Sequence, residues 1–255
     1  MGHKEKTGEV NFWATGMHGA EIGLKQKEQW MAKSRQFTRD TDIYGSVSED
    51  EKEVGFVAYR ENLWNEEKRL VVKVFSKGGT WKGSMEELIG EELKKSLYAD
   101  KPSPVFAIIL PRYDYVTVVE RVFRPGLMQK EAYAFRIINK DRTLEVYSVV
   151  GARASLGNDF KVIRENDTKE VGKLDSKVLD IGGKVHIELK DELAAKNDIL
   201  FDILVCFAAS LKFLDDVKDA INDRLKRLDK EKLKYRVELD RDEVLLYTNP
   251  RRIKV

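Results

Sequence analysis

Asp175, Glu188 and Lys190 are the residues whose types and spacing could do the sharpest chemistry in this chain. A carboxylate followed further on by Glu-x-Lys is the arrangement a metal-dependent nuclease uses. Two carboxylates on neighbouring strands converge on a divalent cation, and the lysine stands beside the attacked phosphate. Glu188-Leu189-Lys190 closes an expected strand and Asp175 opens the hairpin before it, so convergence is geometrically available. The plainer reading makes Asp175 a turn residue and leaves Glu188 and Lys190 facing solvent. A charge-rich chain generates this spacing by chance, and the plainer reading is preferred.

Other chemistry is thinner. His3, His18 and His186 are too few and too scattered for a zinc site, which needs several ligands at short spacing. No Ser, His and Asp set lies in a nucleophile elbow, and no glycine-rich phosphate loop is present, so no cofactor and no metal is expected. Two basic runs, Arg224-Leu225-Lys226-Arg227 and Arg251-Arg252-Ile253-Lys254, could contact the phosphates of lipid or nucleic acid. Their candidate anion contacts are Arg224, Lys226, Arg227, Arg251 and Arg252. The neighbours Asp223, Asp229 and Glu231 offset the first run, so a solvated helix face is the preferred reading there. Trp13, Trp30, Trp64 and Trp81 all fall in the first third, where they read as a satellite core before an interaction surface.

The bulk numbers limit the classes of function. With 255 residues, 42% of them hydrophobic, the chain can fill a core, and disorder is not expected. Charged residues make up 35% but sum to only +2, which disfavours an obligate nucleic-acid binder. That dense mixture of signs also matches a thermophile surface. Cys206, the single cysteine, lies in an apolar run and reads as a small packed hydrophobe. One cysteine and no N-terminal apolar run point to a cytoplasmic protein. The most apolar stretch, 199–214, is too short and too interrupted to cross a bilayer, so no transmembrane segment is expected.

Elements that would position these residues follow from periodicity. Residues 1–50 read as irregular, with one or two short strands. Strands are expected at 54–59 and 70–75, and Ser84-Met85-Glu86-Glu87 reads as a capping box opening a helix that ends near Tyr98. From Val105 the texture becomes a meander of strands at 105–110, 115–123, 133–138, 144–150, 160–163, 171–174, 178–181 and 185–189. The stretch 199–214 is apolar around nearly its full circumference, so protein must surround it, and a helix inside strands is the simplest solution. A charged helix with one buried stripe is expected at 216–234, then a terminal hairpin from Tyr235–Leu239 and Val244–Tyr247.

The run from Ser155 through Glu170-Val171-Gly172-Lys173-Leu174, then Val178 to Leu189, then the apolar helix, resembles the end of a tubby-like barrel. It is similar to the LURP-one-related proteins and, more distantly, to phospholipid scramblases, over roughly residues 105–215. The resemblance implies an α+β fold: an antiparallel β-barrel around a central apolar helix. The barrel is then expected in 101–255, with its buried helix at about 193–215 and residues 1–100 as an N-terminal α+β elaboration. The absence of a catalytic constellation beside this architecture points to a non-enzymatic binding or scaffolding protein whose ligand the sequence does not identify, with a protein partner or an anionic phospholipid surface as the candidates. The alternative is the metal-dependent nuclease built on Asp175, Glu188 and Lys190.

Overall fold

A computed structural model describes residues 5–13, 24–123, 131–151, 159–177, 183–231 and 235–248. Twelve antiparallel strands run up and down and close on themselves. They are β1 (Lys6–Phe12), β2 (Thr41–Glu49), β3 (Lys52–Arg60), β4 (Val71–Ser76), β5 (Trp81–Glu87), β6 (Val105–Ile109), β7 (Thr117–Arg121), β8 (Ala132–Ile138), β9 (Leu144–Gly151), β10 (Phe160–Arg164), β11 (Lys169–Lys177) and β12 (Lys184–Leu189). Each pairs with its sequence neighbours, and β1 seals the barrel against β12 with Lys6 opposite Leu189 and Val10 opposite Val185. Six α-helices accompany the sheet among the described residues: α1 (Leu24–Lys33), α2 (Ile89–Ala99), α3 (Glu192–Ala195), α4 (Asp198–Ser210), α5 (Leu214–Glu231) and α6 (Arg241–Leu246).

Alternation on the strands sets the inside. In β12, Val185, Ile187 and Leu189 are buried while Lys184, His186 and Glu188 look outward, as a period of two requires. The inward set needs an apolar filling, and α4 supplies it. From Ile203 to Ser210 every residue of that helix is buried, so no face of it meets water. Wall residues touch it from all round. Tyr44 on β2 donates a 2.8 Å hydrogen bond to the Ala209 carbonyl, and Phe207 packs against Tyr133 on β8 and Phe160 on β10. Gly8 on β1 and Gly83 on β5 let the wall approach the helix: a Cβ at Gly8 would stand 2.6 Å from the Phe201 ring, and one at Gly83 3.2 Å from Cys206 Sγ. Burial pushes the Cys206 thiol up, so it packs as an unreactive hydrophobe.

The two ends of the barrel differ. At one, short connections join the strands at 50–51, 77–80, 110–116, 139–143 and 165–168, and α4 enters there after α3. This end is the mouth. At the other, α4 leaves through a 3-10 turn, Leu211–Phe213, and α5 folds across the opening against α2. This end is capped.

Several expectations need correction. The barrel is not confined to 101–255, because β1 to β5 come from the first hundred residues and residue 100 marks no boundary in the sheet. Ser84-Met85-Glu86-Glu87 is no capping box; it lies in β5, and α2 begins at Ile89 with no side-chain cap on Leu88. No hairpin forms at 235–247: residues 235–240 have no regular structure, and α6 follows with Asp240 accepting from the amides of Asp242 and Glu243. The expected strand at 178–181 lies outside the described residues. The satellite core does form, outside β2 to β4 and beneath α1, from Trp30, Phe37, Phe56 and Phe75, with Trp13 and Trp81 packed against it. Trp64 instead joins the main core against Phe213.

Candidate functional site

Because α4 fills the barrel, a ligand would have to sit outside it, and two clefts open at the mouth, beside the first turn of that helix. Asn197 caps it, its Oδ1 accepting from Leu200 N at 3.0 Å, so Asp198 and Asp202 stand one turn apart at the rim. Two adjoining clefts share Asp198, Asp202 and Arg112. One, of about 390 Å3, is bounded by Lys6, Glu49, Lys82 and Phe201. The other, of about 610 Å3, is bounded by Tyr113, Tyr115, Lys140 and Leu193.

Charge in the mouth divides into spent and unspent groups. Lys6 is spent: it lies 2.6 Å from Asp198 and 3.4 Å from Glu49, with its ammonium 4.4 Å from the centre of the Phe201 ring. Lys196 is spent on Glu192 at 2.6 Å. Lys82, Arg112 and Lys140 are exposed and, among the described residues, make no ion pair. Asp202 is half-buried on the wall of both clefts. Burial pushes its carboxyl up to about 6, with the cations of Lys6 and Arg112 opposing that rise.

The sign of this shift gives a test. An ordinary Asp titrates near 3.9, so between about pH 4 and pH 6 the folded state holds the Asp202 proton more tightly than the unfolded chain. Its contribution to stability is complete below about pH 4 and is lost as the pH rises through about 6. At pH 7 the folded protein therefore carries a poorly solvated charge. Asp202→Asn should stabilise the protein at pH 7 by about 1–2 kcal/mol, discounted for partial exposure, and should change little at pH 4. Denaturant midpoints at the two pH values measure this. Equal shifts at both would refute the assignment.

Asp175, Glu188 and Lys190 lie elsewhere, on or beside the outer face of β11 and β12. The structure brings both carboxylates to one lysine that sequence reasoning omitted. Lys173 Nζ stands 3.9 Å from Asp175 and 3.2 Å from Glu188, and Lys190 adds a contact to Glu188 at 3.4 Å. Partial burial pushes Glu188 up, but the hydrogen bond and charge of Lys173, with Lys190 behind it, outweigh that and hold it below the usual carboxylate range. An ammonium thus bridges the pair at the place where a metal would bind. Among the described residues, no group of three or more His, Cys, Asp or Glu side chains is placed to hold a metal ion. His186 looks outward from the same strand pair, opposite Asp175, while His3 and His18 lie outside the described residues.

The basic run on α5 is only partly a solvated face. Lys226 is exposed beside Asp223, and Arg227 lies 4.0 Å from the centre of the Tyr235 ring. Arg224 is buried. Its Nη1 donates to Glu87 at 2.9 Å and to Glu92 at 2.6 Å, and its Nη2 to the carbonyl of Lys68 at 2.6 Å, so it is unavailable to a phosphate. Arg251 and Arg252 lie outside the described residues.

Fold and mouth together define a closed twelve-stranded α+β barrel with a helix-filled interior and two adjoining clefts at its mouth. Compared with known proteins, this chain matches no family model, no curated protein and no solved structure.

Proposed function

We propose that this chain is a non-enzymatic binding protein of tubby-like architecture, and that its mouth engages an anionic phospholipid surface. The carrying observation is what stands unspent there: Lys82, Arg112 and Lys140 beside exposed apolar side chains on the same rim. Those side chains are Val54, Tyr115, Val116, Leu144 and Leu193. Apolar tips that enter the headgroup layer, ringed by free cations, suit a negatively charged bilayer. The clefts behind Arg112 give a headgroup somewhere to sit. A filled interior supports the reading further, since a ligand cannot be swallowed as it is in hollow barrels.

Sedimentation with liposomes tests it. Binding is expected to vesicles containing phosphatidylserine and not to pure phosphatidylcholine. It should weaken severalfold between about 0.05 M and about 0.3 M salt, as the Debye length shortens. Lys82→Ala, Arg112→Ala and Lys140→Ala together should abolish it, at about 1 kcal/mol for each cation near the surface. Binding indifferent to both salt and these three substitutions would overturn the proposal.

A further inference from the structure

Resting on the anionic-lipid reading above, we propose that the larger mouth cleft selects a headgroup that carries a primary ammonium beside its phosphate. Asp202 takes the ammonium, and Arg112 and Lys140 take the phosphate. Asp202 is a half-buried carboxylate on the wall of that cleft, and among the described residues it makes no hydrogen bond and no ion pair. Its neighbour one turn back, Asp198, is held by Lys6 at 2.6 Å. Arg112 lines the same cleft and does not pair with Asp202. Two unlike charges thus border one space without neutralising each other.

A headgroup with negative charge alone fits this cleft poorly. It would satisfy Arg112 and Lys140 while setting its charge against Asp202 and the exposed Asp114 on the same lining. Burial without a partner makes the Asp202 charge costly, which is why its carboxyl is pushed up, and an ammonium donating to it offsets that cost.

The aromatic lining points the same way independently. Tyr113 and Tyr115 border this cleft with ring centres 5.4 Å apart, and the Tyr113 hydroxyl accepts the Ile138 amide at 2.6 Å, which fixes that ring. Aromatic faces attract an ammonium as a carboxylate does. The nitrogen must also donate, because the Asp202 carboxylate offers only acceptors. A trimethylated choline nitrogen has no N–H, so the class recognised is the aminophospholipids, with serine or ethanolamine headgroups.

Two vesicle sets of matched negative charge test the selection, phosphatidylserine or phosphatidylglycerol at equal mole fraction in phosphatidylcholine. Sedimentation should show wild type preferring phosphatidylserine by about tenfold, the worth of one hydrogen bond between charged groups. Asp202→Asn, which is expected to fold, should bring the two affinities together by weakening the phosphatidylserine arm. Equal affinity of wild type for both sets would overturn the selection and leave the lipid reading standing. So would a variant that binds both sets more tightly by the same factor, since Asp202 would then be a mere repulsive charge. Soluble probes test the pairing without a membrane: phosphoethanolamine should raise the melting temperature of wild type more than glycerol phosphate does, and Asp202→Asn should erase the difference. Equal or absent responses to the two would count against the pairing. That preference with no binding to either vesicle set would uphold the pairing, overturn the lipid reading and make the ligand a soluble phosphorylated amine.

Discussion

Replacing Arg224 with methionine is expected to destabilise the protein by about 3–5 kcal/mol at neutral pH, the cost of leaving buried charge without its partner. Glu87 and Glu92 are both fully buried and share the Arg224 Nη1, while its Nη2 donates to the carbonyls of Glu67 and Lys68. Methionine keeps the apolar stem and removes every one of these contacts. Burial already pushes Glu92 well above the usual carboxylate range, reinforced by Glu87 and opposed by Arg224. Without Arg224 the Glu92 carboxyl must rise further. A group whose pKa is raised on folding loses its stabilising contribution as the pH rises, so the deficit of the variant should shrink on acidification. Denaturant unfolding at pH 7.5 and pH 5 measures this, and a deficit as large at pH 5 would mean that the loss comes from packing. Adding Glu92→Gln to Arg224→Met should recover part of the stability, as coupled neighbours do in a double-mutant cycle. Arg224→Lys should not substitute, because an ammonium cannot present the planar fork that reaches two carboxylates and a carbonyl together.

Phe207→Ala should cost a comparable amount, about 3–5 kcal/mol, by emptying the space between α4 and the wall. Phe207 is 1% exposed, with its ring 5.2 Å from that of Tyr133 and 5.9 Å from that of Phe160. Those two residues stand on β8 and β10, stiff elements of a closed sheet that cannot collapse into the gap. Equilibrium unfolding monitored by tyrosine and tryptophan fluorescence reads the loss. A loss below about 1 kcal/mol would show that the helix is only loosely gripped there.

The central helix and the later strands are legible in the sequence because burial writes a simple pattern there. The stretch 199–214 is apolar on every side, and α4 with the turn after it lies where that pattern puts it. β8 at Ala132–Ile138 and β9 at Leu144–Gly151 follow their expected bounds within a residue, as alternation and the Asn139 to Arg142 turn require. The early strands are harder to read. β2, with sequence TDIYGSVSE, is buried on both faces along much of its length, because α4 lies inside it and the aromatic satellite core outside. Its alternation is erased. Glu86 and Glu87 lend β5 the look of a helix start, since a carboxylate destined for a buried ion pair has the same letter as a solvated one. Arg69, Arg224 and Glu92 are hidden for that reason among many surface charges. Lys173 is hidden as well: only strand register reveals that it faces Glu188. For α6 a signal exists, as Asp240 followed at the third position by Glu243 has the spacing of a capping pair. The apolar letters at 235–239 and 244–247 obscure it.

The seam between β1 and β12 gives the barrel a timetable. β1 leaves the ribosome ahead of the other eleven strands of the barrel, and one of its two ladders stays empty until Leu189 has been made, on the order of ten seconds later at typical synthesis rates. Pairing over so long a loop is entropically slow, and α4 follows the last strand, so filling and closure must fall late and close together. During that interval the nascent chain shows an unpaired edge and an oily interior to its surroundings. This protein's demand on molecular chaperones should therefore ease once β12 and α4 have been made.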